Sequence, residues 1–314
     1  MIQRRVRTFL ERMIKQKRVP VSLLFYGKEG VGKGNVAFEF AKALLCLNNL
    51  YPPCGNCSSC SHMDAFKKEP EENLAYYGED KRGRKVFMYL QGEHPDFIYV
   101  KPDRSEIKID QIRGVKEFVY LRPALSRKKV VLIEPADSMN PFSQNALLKV
   151  LEEPPEDTHF VLVSHNIDKV LPTIRSRSFL LEFPPLSLEE IKSLTGIDDP
   201  FILEFSGGSV NMALKLYEDR EILEVALDIL SGDILRLYRR SFEIEKWDYD
   251  RQALLLRLLE ILLHRKVIEG KEEHRQALDR VVWGMEFLNR GIRLSILIFY
   301  VGLIGGEKDV LHKG

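Results

Sequence analysis

Residues 23–35 read LLFYGKEGVGKGN, and the fold turns on this stretch. Leu23, Leu24, Phe25 and Tyr26 have strand character and run into a glycine-rich turn, which passes into VAFEFAKALL, an apolar pattern at helical spacing. Strand, turn and helix in that order are what a phosphate loop requires. Gly27, Gly30, Gly32 and Lys33 fit its cofactor-binding core. The glycines let backbone N–H groups converge on phosphate oxygens, and the lysine adds a point charge. At the next position a Ser or Thr hydroxyl is expected as a Mg²⁺ ligand, and Gly34 has none.

Outward from this core, residues 4–18 read as an amphipathic helix ended by Pro20. Four further apolar runs have strand character: 97–100 (FIYV), 130–133 (VVLI), 160–164 (FVLVS) and 179–183 (FLLEF). Between them lie a helix opening at Ile109, with Asp110 as its N-cap, and a second helix over 145–153 (NALLKVLEE), closed by Pro154 and Pro155. Continuous apolar strands separated by helices imply a parallel sheet covered on both faces, an α/β nucleotide-binding architecture. Residues 67–93 are polar and highly charged with one short apolar run at 86–90, and read as a surface insertion, a loop or small hairpin. After Pro184 and Pro185 the strand signals stop and helical patterns take over, short at first and then long over 221–232, 251–270 and 274–306, which places domains at 1–184, 185–219 and 220–314.

A length of 314 residues is enough for two or three domains with buried cores. Charged residues make up 30% of the chain but the formal net charge is only +1, so no whole-molecule field draws it to nucleic acid or to a membrane. The N-terminal stretch alternates charge and apolar residues, and no run reaches the roughly 18 apolar residues of a spanning helix. The expectation is a soluble, cytoplasmic protein without membrane contact.

All four cysteines, Cys46, Cys54, Cys57 and Cys60, fall within fifteen residues. In an intracellular protein such crowding argues for a metal rather than disulfides, and overlapping CxxC knuckles present thiolates from one turn, as a structural Zn²⁺ site does. Cys46 would reach in from the end of the phosphate-loop helix, and His62 is an alternative fourth ligand. Four reduced thiols, with Cys46 a small core residue, are the other reading.

Four segments in this order, LLFYGKEGVGK, the cysteine cluster, QNALLKVLEEPPEDTHFVLVS and LPTIRSRS, resemble the AAA+ clamp-loader family. The resemblance implies a RecA-like AAA+ α/β domain with a parallel sheet, a small helical lid and a C-terminal all-α collar that mediates assembly. It also implies partners: ATP-binding motor subunits, a clamp-opening subunit, the sliding clamp, and primed DNA reached through the assembly. Members of this family that hydrolyse ATP carry Asp-Glu after the second core strand, where this chain has Glu134 and Pro135, and a lid arginine where it has Asn211. Gly34, Pro135 and Asn211 each remove one element of metal-assisted hydrolysis. The expectation is a non-catalytic stator component of the DNA polymerase holoenzyme, with Ser164, His165 or Asn166 left to supply the polar group after the third of those runs. Whether Lys33 still holds ATP without turnover stays open. Arg177 matches the arginine that the family projects into a neighbour's ATP site, a catalytic role in trans. An ATP-hydrolysing motor subunit and a zinc-containing nucleic-acid-binding protein are the alternatives.

Overall fold

The computed structural model describes residues 3–288 and 293–305. The chain divides into two compact units, Met1–Leu186 and Ser187–Gly314, each treated by itself.

The first unit is built on a seven-stranded sheet. Its strands are β1 (Ser22–Tyr26), β2 (Ala75–Glu79), β3 (Lys85–Leu90), β4 (Phe97–Val100), β5 (Lys129–Ile133), β6 (Thr158–Ser164) and β7 (Phe179–Glu182), in the order β2-β3-β4-β5-β6-β1-β7. The five strands from β4 to β7 pair in parallel, as the apolar runs predict. Alternate residues serve opposite faces. Leu23, Val130 and Val161 join one core with Leu10, Phe40 and Met63. Leu24, Val131 and Leu162 join the other with Ile112, Val115 and Leu147. Both faces of β1, β4, β5 and β6 are therefore dry, which is why these strands read as unbroken apolar runs instead of alternating ones, whereas β7 at the sheet edge is largely exposed.

The helices covering the first face are α1 (Arg4–Lys15), α2 (Lys33–Leu45) and α3 (Ser58–Lys68); α5 (Ile109–Tyr120) and α6 (Pro141–Glu152) cover the second. One expected cap and one expected helix start are corrected. α5 opens at Ile109 as expected, but Asp110 lies inside it with its carboxylate paired to Arg113, and the N-cap is Lys108, whose N–H donates to Gln111 Oε1 at 3.0 Å. α6 starts at Pro141, where the fixed φ suits the first helical position, and Asn140 Oδ1 caps it by accepting the Ser143 N–H at 2.9 Å. The charged segment after α3 forms a one-turn helix, α4 (Glu71–Leu74), and the β2–β3 hairpin. That hairpin extends the sheet antiparallel to β4. Asp80 closes its turn by accepting the N–H groups of Arg82 and Arg84 at 2.8 and 2.9 Å and by pairing with the Arg84 guanidinium.

The second unit is helical in its described residues: α8 (Leu188–Thr195), α9 (Pro200–Phe205), α10 (Val210–Glu218), α11 (Glu221–Leu230), α12 (Ile234–Ile244), α13 (Tyr249–Ile268), α14 (Arg275–Phe287) and α15 (Leu294–Gly305). α12 is absent from the helical stretches picked out by sequence. The last apolar stretch, which reads as one helix, is two elements, α14 and α15, separated by residues outside the described set.

One buried charge fixes the route into β5. Asp96 is fully buried and accepts the N–H groups of Ala124, Leu125 and Ser126 at 2.7, 2.8 and 2.7 Å. Burial works against its charge, yet these donors outweigh it and hold the carboxyl below its ordinary range. Asp96→Ala would take the shared acceptor from three backbone donors, a loss of roughly 1–3 kcal/mol read as a lower denaturation midpoint. An unchanged midpoint would contradict this role.

Candidate functional site

The phosphate loop lies between β1 and α2, at the carboxyl ends of the parallel strands, where open α/β sheets bind ligands. Gly27, Gly30 and Gly32 all have positive φ, at 149°, 77° and 88°. At Gly27 the reason is also steric, because a Cβ there would lie 2.3 Å from the carbonyl oxygen of Phe183. Gly32 stands as the N-cap of α2 and offers no side-chain cap. Lys33 is buried, and its Nζ donates to the carbonyls of Gly27 at 2.8 Å and Lys28 at 2.6 Å, so the ammonium is folded onto the loop's own backbone. Burial lowers its pKa to about 8, against the pull of Glu134, Asp137 and Glu29.

Glu134 follows β5 and faces the loop. The Tyr99 hydroxyl donates to its Oε2 at 2.6 Å, and a Cβ placed on Gly34 would lie 2.4 and 2.6 Å from its two carboxylate oxygens. Asp137, which reads from sequence as a solvated residue at a helix start, instead accepts the His165 N–H at 2.8 Å and ties the ends of β5 and β6 together. Of the three polar residues Ser164, His165 and Asn166 at the end of β6, Asn166 Oδ1 is used locally, accepting from the Asp168 N–H at 3.0 Å. The buried Ser164 hydroxyl and His165 Nδ1 have no hydrogen-bond partner among the described residues. Asn211 is exposed in the first turn of α10, in the second unit.

The cysteines converge. One sulfur from each of Cys46, Cys54, Cys57 and Cys60 lies within 4.8 Å of the others. Cys46 is the C-cap of α2, Cys57 is the N-cap of α3, and Cys60 is in the first turn of α3. The Cys60 N–H donates to Cys57 Sγ at 3.5 Å, and Cys54 and Cys60 Sγ are 3.8 Å apart. That spacing is close to the ~3.8 Å edge of a tetrahedron of four sulfurs about 2.3 Å from one ion. The thiols are electrostatically unequal: N–H donors led by that of Asn56 lower Cys54 to about 6, while burial pushes Cys60 up. The donor set and its spacing fit a structural metal ion with no position left for water.

A relay of hydrogen bonds behind the cluster was not legible in sequence. His94 Nδ1 accepts the Asp96 N–H at 3.1 Å, which assigns the proton to Nε2; Nε2 lies 2.9 Å from Ser59 Oγ, and Ser59 Oγ donates to the Leu45 carbonyl at 2.8 Å. A second unanticipated residue is the buried Gln144. Its Nε2 donates to the carbonyls of Met139 and Lys169, both at 3.0 Å, and its Oε1 accepts the Leu171 N–H at 2.7 Å. It thereby anchors the approach to α7 (Pro172–Arg175), which ends two residues before Arg177. A buried glutamine in a helix of otherwise ordinary amphipathic pattern carries no signal of which carbonyls it will meet.

Arg177 lies at the surface, its side chain 40% exposed, and forms a 2.9 Å ion pair with Glu152 at the end of α6. A guanidinium in such a pair loses little on leaving it, since exposed ion pairs contribute roughly 0–1 kcal/mol.

A profile of the family described as "DNA polymerase III, delta subunit" matches residues 2–86 and 68–187, together more than half of the chain. The chain belongs to this family. Within it the chain resembles delta-prime subunits. It is 34% identical over 205 residues to DNA polymerase III subunit delta' of Pseudomonas aeruginosa (62% of this chain, 55% of the relative). It is 33% identical over 191 residues to that of Bacillus subtilis (61% and 50%). The chain thus spans about half the length of these two curated relatives. The Haemophilus influenzae subunit delta' matches over 273 residues at 26% identity, covering 85% of this chain and 69% of the relative. The crystal structure of a DNA polymerase III gamma subunit-related protein from Thermotoga maritima shares the fold, with a TM-score of 0.51 at 18% identity over 95% of this chain and 98% of that one. This delta-prime-like chain combines a mostly parallel α/β unit with a helical C-terminal region, the architecture expected from its sequence. Among its described residues no helix is long and apolar enough to cross a membrane.

The relay sets a pH dependence. Burial lowers His94 to about 4 from its ordinary 6.5, with Asp96 pulling the other way. The folded chain refuses a proton that the unfolded chain accepts. Stability is then complete above about pH 6.5 and falls as pH drops toward 4, by on the order of 2–3 kcal/mol. Denaturant midpoints measured across that window should show the decline, and His94→Gln should flatten it; equal slopes in both proteins would contradict the assignment.

Proposed function

We propose that this chain is a non-catalytic subunit of the DNA polymerase III clamp loader, a stator that helps load the sliding clamp onto primed DNA in the cytoplasm. The observation that carries the reading is the likeness to delta-prime subunits over the first unit, joined there to a phosphate loop whose metal-binding hydroxyl is missing at Gly34. Pro135 cannot polarise a water, and Asn211 brings no charge to a phosphate. Self-catalysed hydrolysis therefore lacks its parts.

The partners in this reading are the ATP-binding motor subunits, the clamp-opening subunit and the clamp. Residues 185–219 act as the lid and residues 220–314 as the collar. In support, Leu235, Tyr238 and Phe242 lie at i, i+3 and i+7 on α12 and are exposed, Leu235 at 81%. An apolar face of this kind on a soluble helix calls for a cover. Arg177 would leave Glu152 and meet the γ-phosphate of an adjacent subunit's ATP, where a guanidinium stabilises the charge of the transferring group.

The cysteine cluster holds a structural Zn²⁺ in this reading. Metal analysis of the purified chain should find about one zinc per chain. Metal-free protein with four freely titratable thiols in the native state would reject it.

Arg177→Ala should leave assembly intact and slow hydrolysis at the one site it serves by about 10³-fold. ATP turnover of the assembled complex would then fall by that site's share. Unchanged turnover with normal assembly would reject the role in trans.

A further inference from the structure

A magnesium nucleotide at a phosphate loop needs room for a metal ion between the residue that follows the loop lysine and the carboxylate at the end of the neighbouring strand. Here that room is taken. The Glu134 carboxylate lies where a side chain at position 34 would begin, 2.4 Å and 2.6 Å from the place of its Cβ to the two oxygens and 2.8 Å to the carboxyl carbon. These are separations that bonded geometry alone allows. Glu134 could give way by rotating, but its Oε2 is held by the Tyr99 hydroxyl at 2.6 Å, so moving it breaks a hydrogen bond to a charge. On the other side, the Lys33 ammonium is engaged with the carbonyls of Gly27 and Lys28 instead of being turned outward. The residues present do not fit a magnesium nucleotide.

We infer that Gly34 and Glu134 are one coupled replacement that closes the metal seat of the loop: Glu134 is the wedge, Tyr99 its latch, and Gly34 the residue whose missing side chain gives the wedge its place. An aspartate would stop one methylene short and leave the seat open, and a threonine at 34 could then offer its hydroxyl. The glycine is therefore a steric consequence of the glutamate rather than an independent loss. The inference rests on the non-catalytic part of the reading above. It separates from that reading because its test measures folding and ligand binding of the single chain, not turnover in the assembly.

The test uses the full chain in four forms: wild type, Gly34→Thr, Glu134→Asp, and both together. The probe is N-methylanthraniloyl-ATP, with and without Mg²⁺, and each form is also melted without nucleotide. Wild type should show no saturable Mg²⁺-dependent binding. Gly34→Thr alone should lower Tm by roughly 3–8 °C, because the threonine evicts Glu134 from Tyr99. In the Glu134→Asp background the same substitution should cost far less, and the double variant should bind the probe with Mg²⁺ at least ~10-fold more tightly than either single one. Three results would overturn the inference: saturable Mg²⁺-dependent binding by wild type, additive Tm shifts in the two backgrounds, or a stable double variant that binds no better than the single ones.

Discussion

The first unit is held to its shape by how closely β7 passes the phosphate loop. The Phe183 carbonyl comes so near Gly27 that a Cβ there would sit 2.3 Å away, while the Phe183 N–H donates to the Tyr26 carbonyl at 2.8 Å. From the next residue, the Pro184 carbonyl accepts from Gln3 Nε2 at 2.8 Å, and Gln3 also reaches the Val31 carbonyl at 3.4 Å. The start of the chain, the loop and the last strand thus meet at one place, and the loop's curvature is imposed from outside as well as by its glycines. A phosphate loop braced in this way keeps its form without a phosphate to form around.

The parallel sheet was legible because its strands are buried on both faces, and a doubly buried strand writes itself as a run such as VVLI or FVLVS. The helix starts were less so. Asp110 has the right chemistry for an N-cap, but Gln111 reaches back to the Lys108 N–H and Lys108 takes the cap position, an outcome settled by side-chain reach rather than residue type. The β2–β3 hairpin was visible only as a possibility. Its residues are charged because it is an edge, where charge protects unpaired backbone from foreign strands. α12 was missed for a related reason: in a bundle the apolar pattern continues across a turn, and periodicity alone does not mark where one helix stops and the next begins.

For the candidate site, residue types revealed the chemistry and the structure revealed who touches whom. The glycines, Lys33 and the cysteines announce themselves by spacing. Tyr99 does not, since a tyrosine in FIYV reads as strand filler, yet its hydroxyl is what fixes the orientation of Glu134. Gln144 and His94 are similar cases. Each is a buried polar residue that meets a distant segment, backbone groups of Lys169 and Leu171 for Gln144 and the Ser59 hydroxyl for His94, and such partners are invisible until the chain is folded.

The hydrogen bond from Ser59 to the Leu45 carbonyl has an architectural consequence. It joins the end of α2 to the start of α3, so residues 46–58 leave the body of the unit and return to the point of departure. The cysteine segment is a closed detour and not part of the through-route. A chain without it could pass from the phosphate-loop helix to the next helix by a short turn, with the sheet and the second core undisturbed and the first core losing Tyr51, which packs against Phe40. The segment is attached in the manner of a pendant, and that form of attachment lets a lineage gain, reshape or discard such a segment without having to refold what carries it.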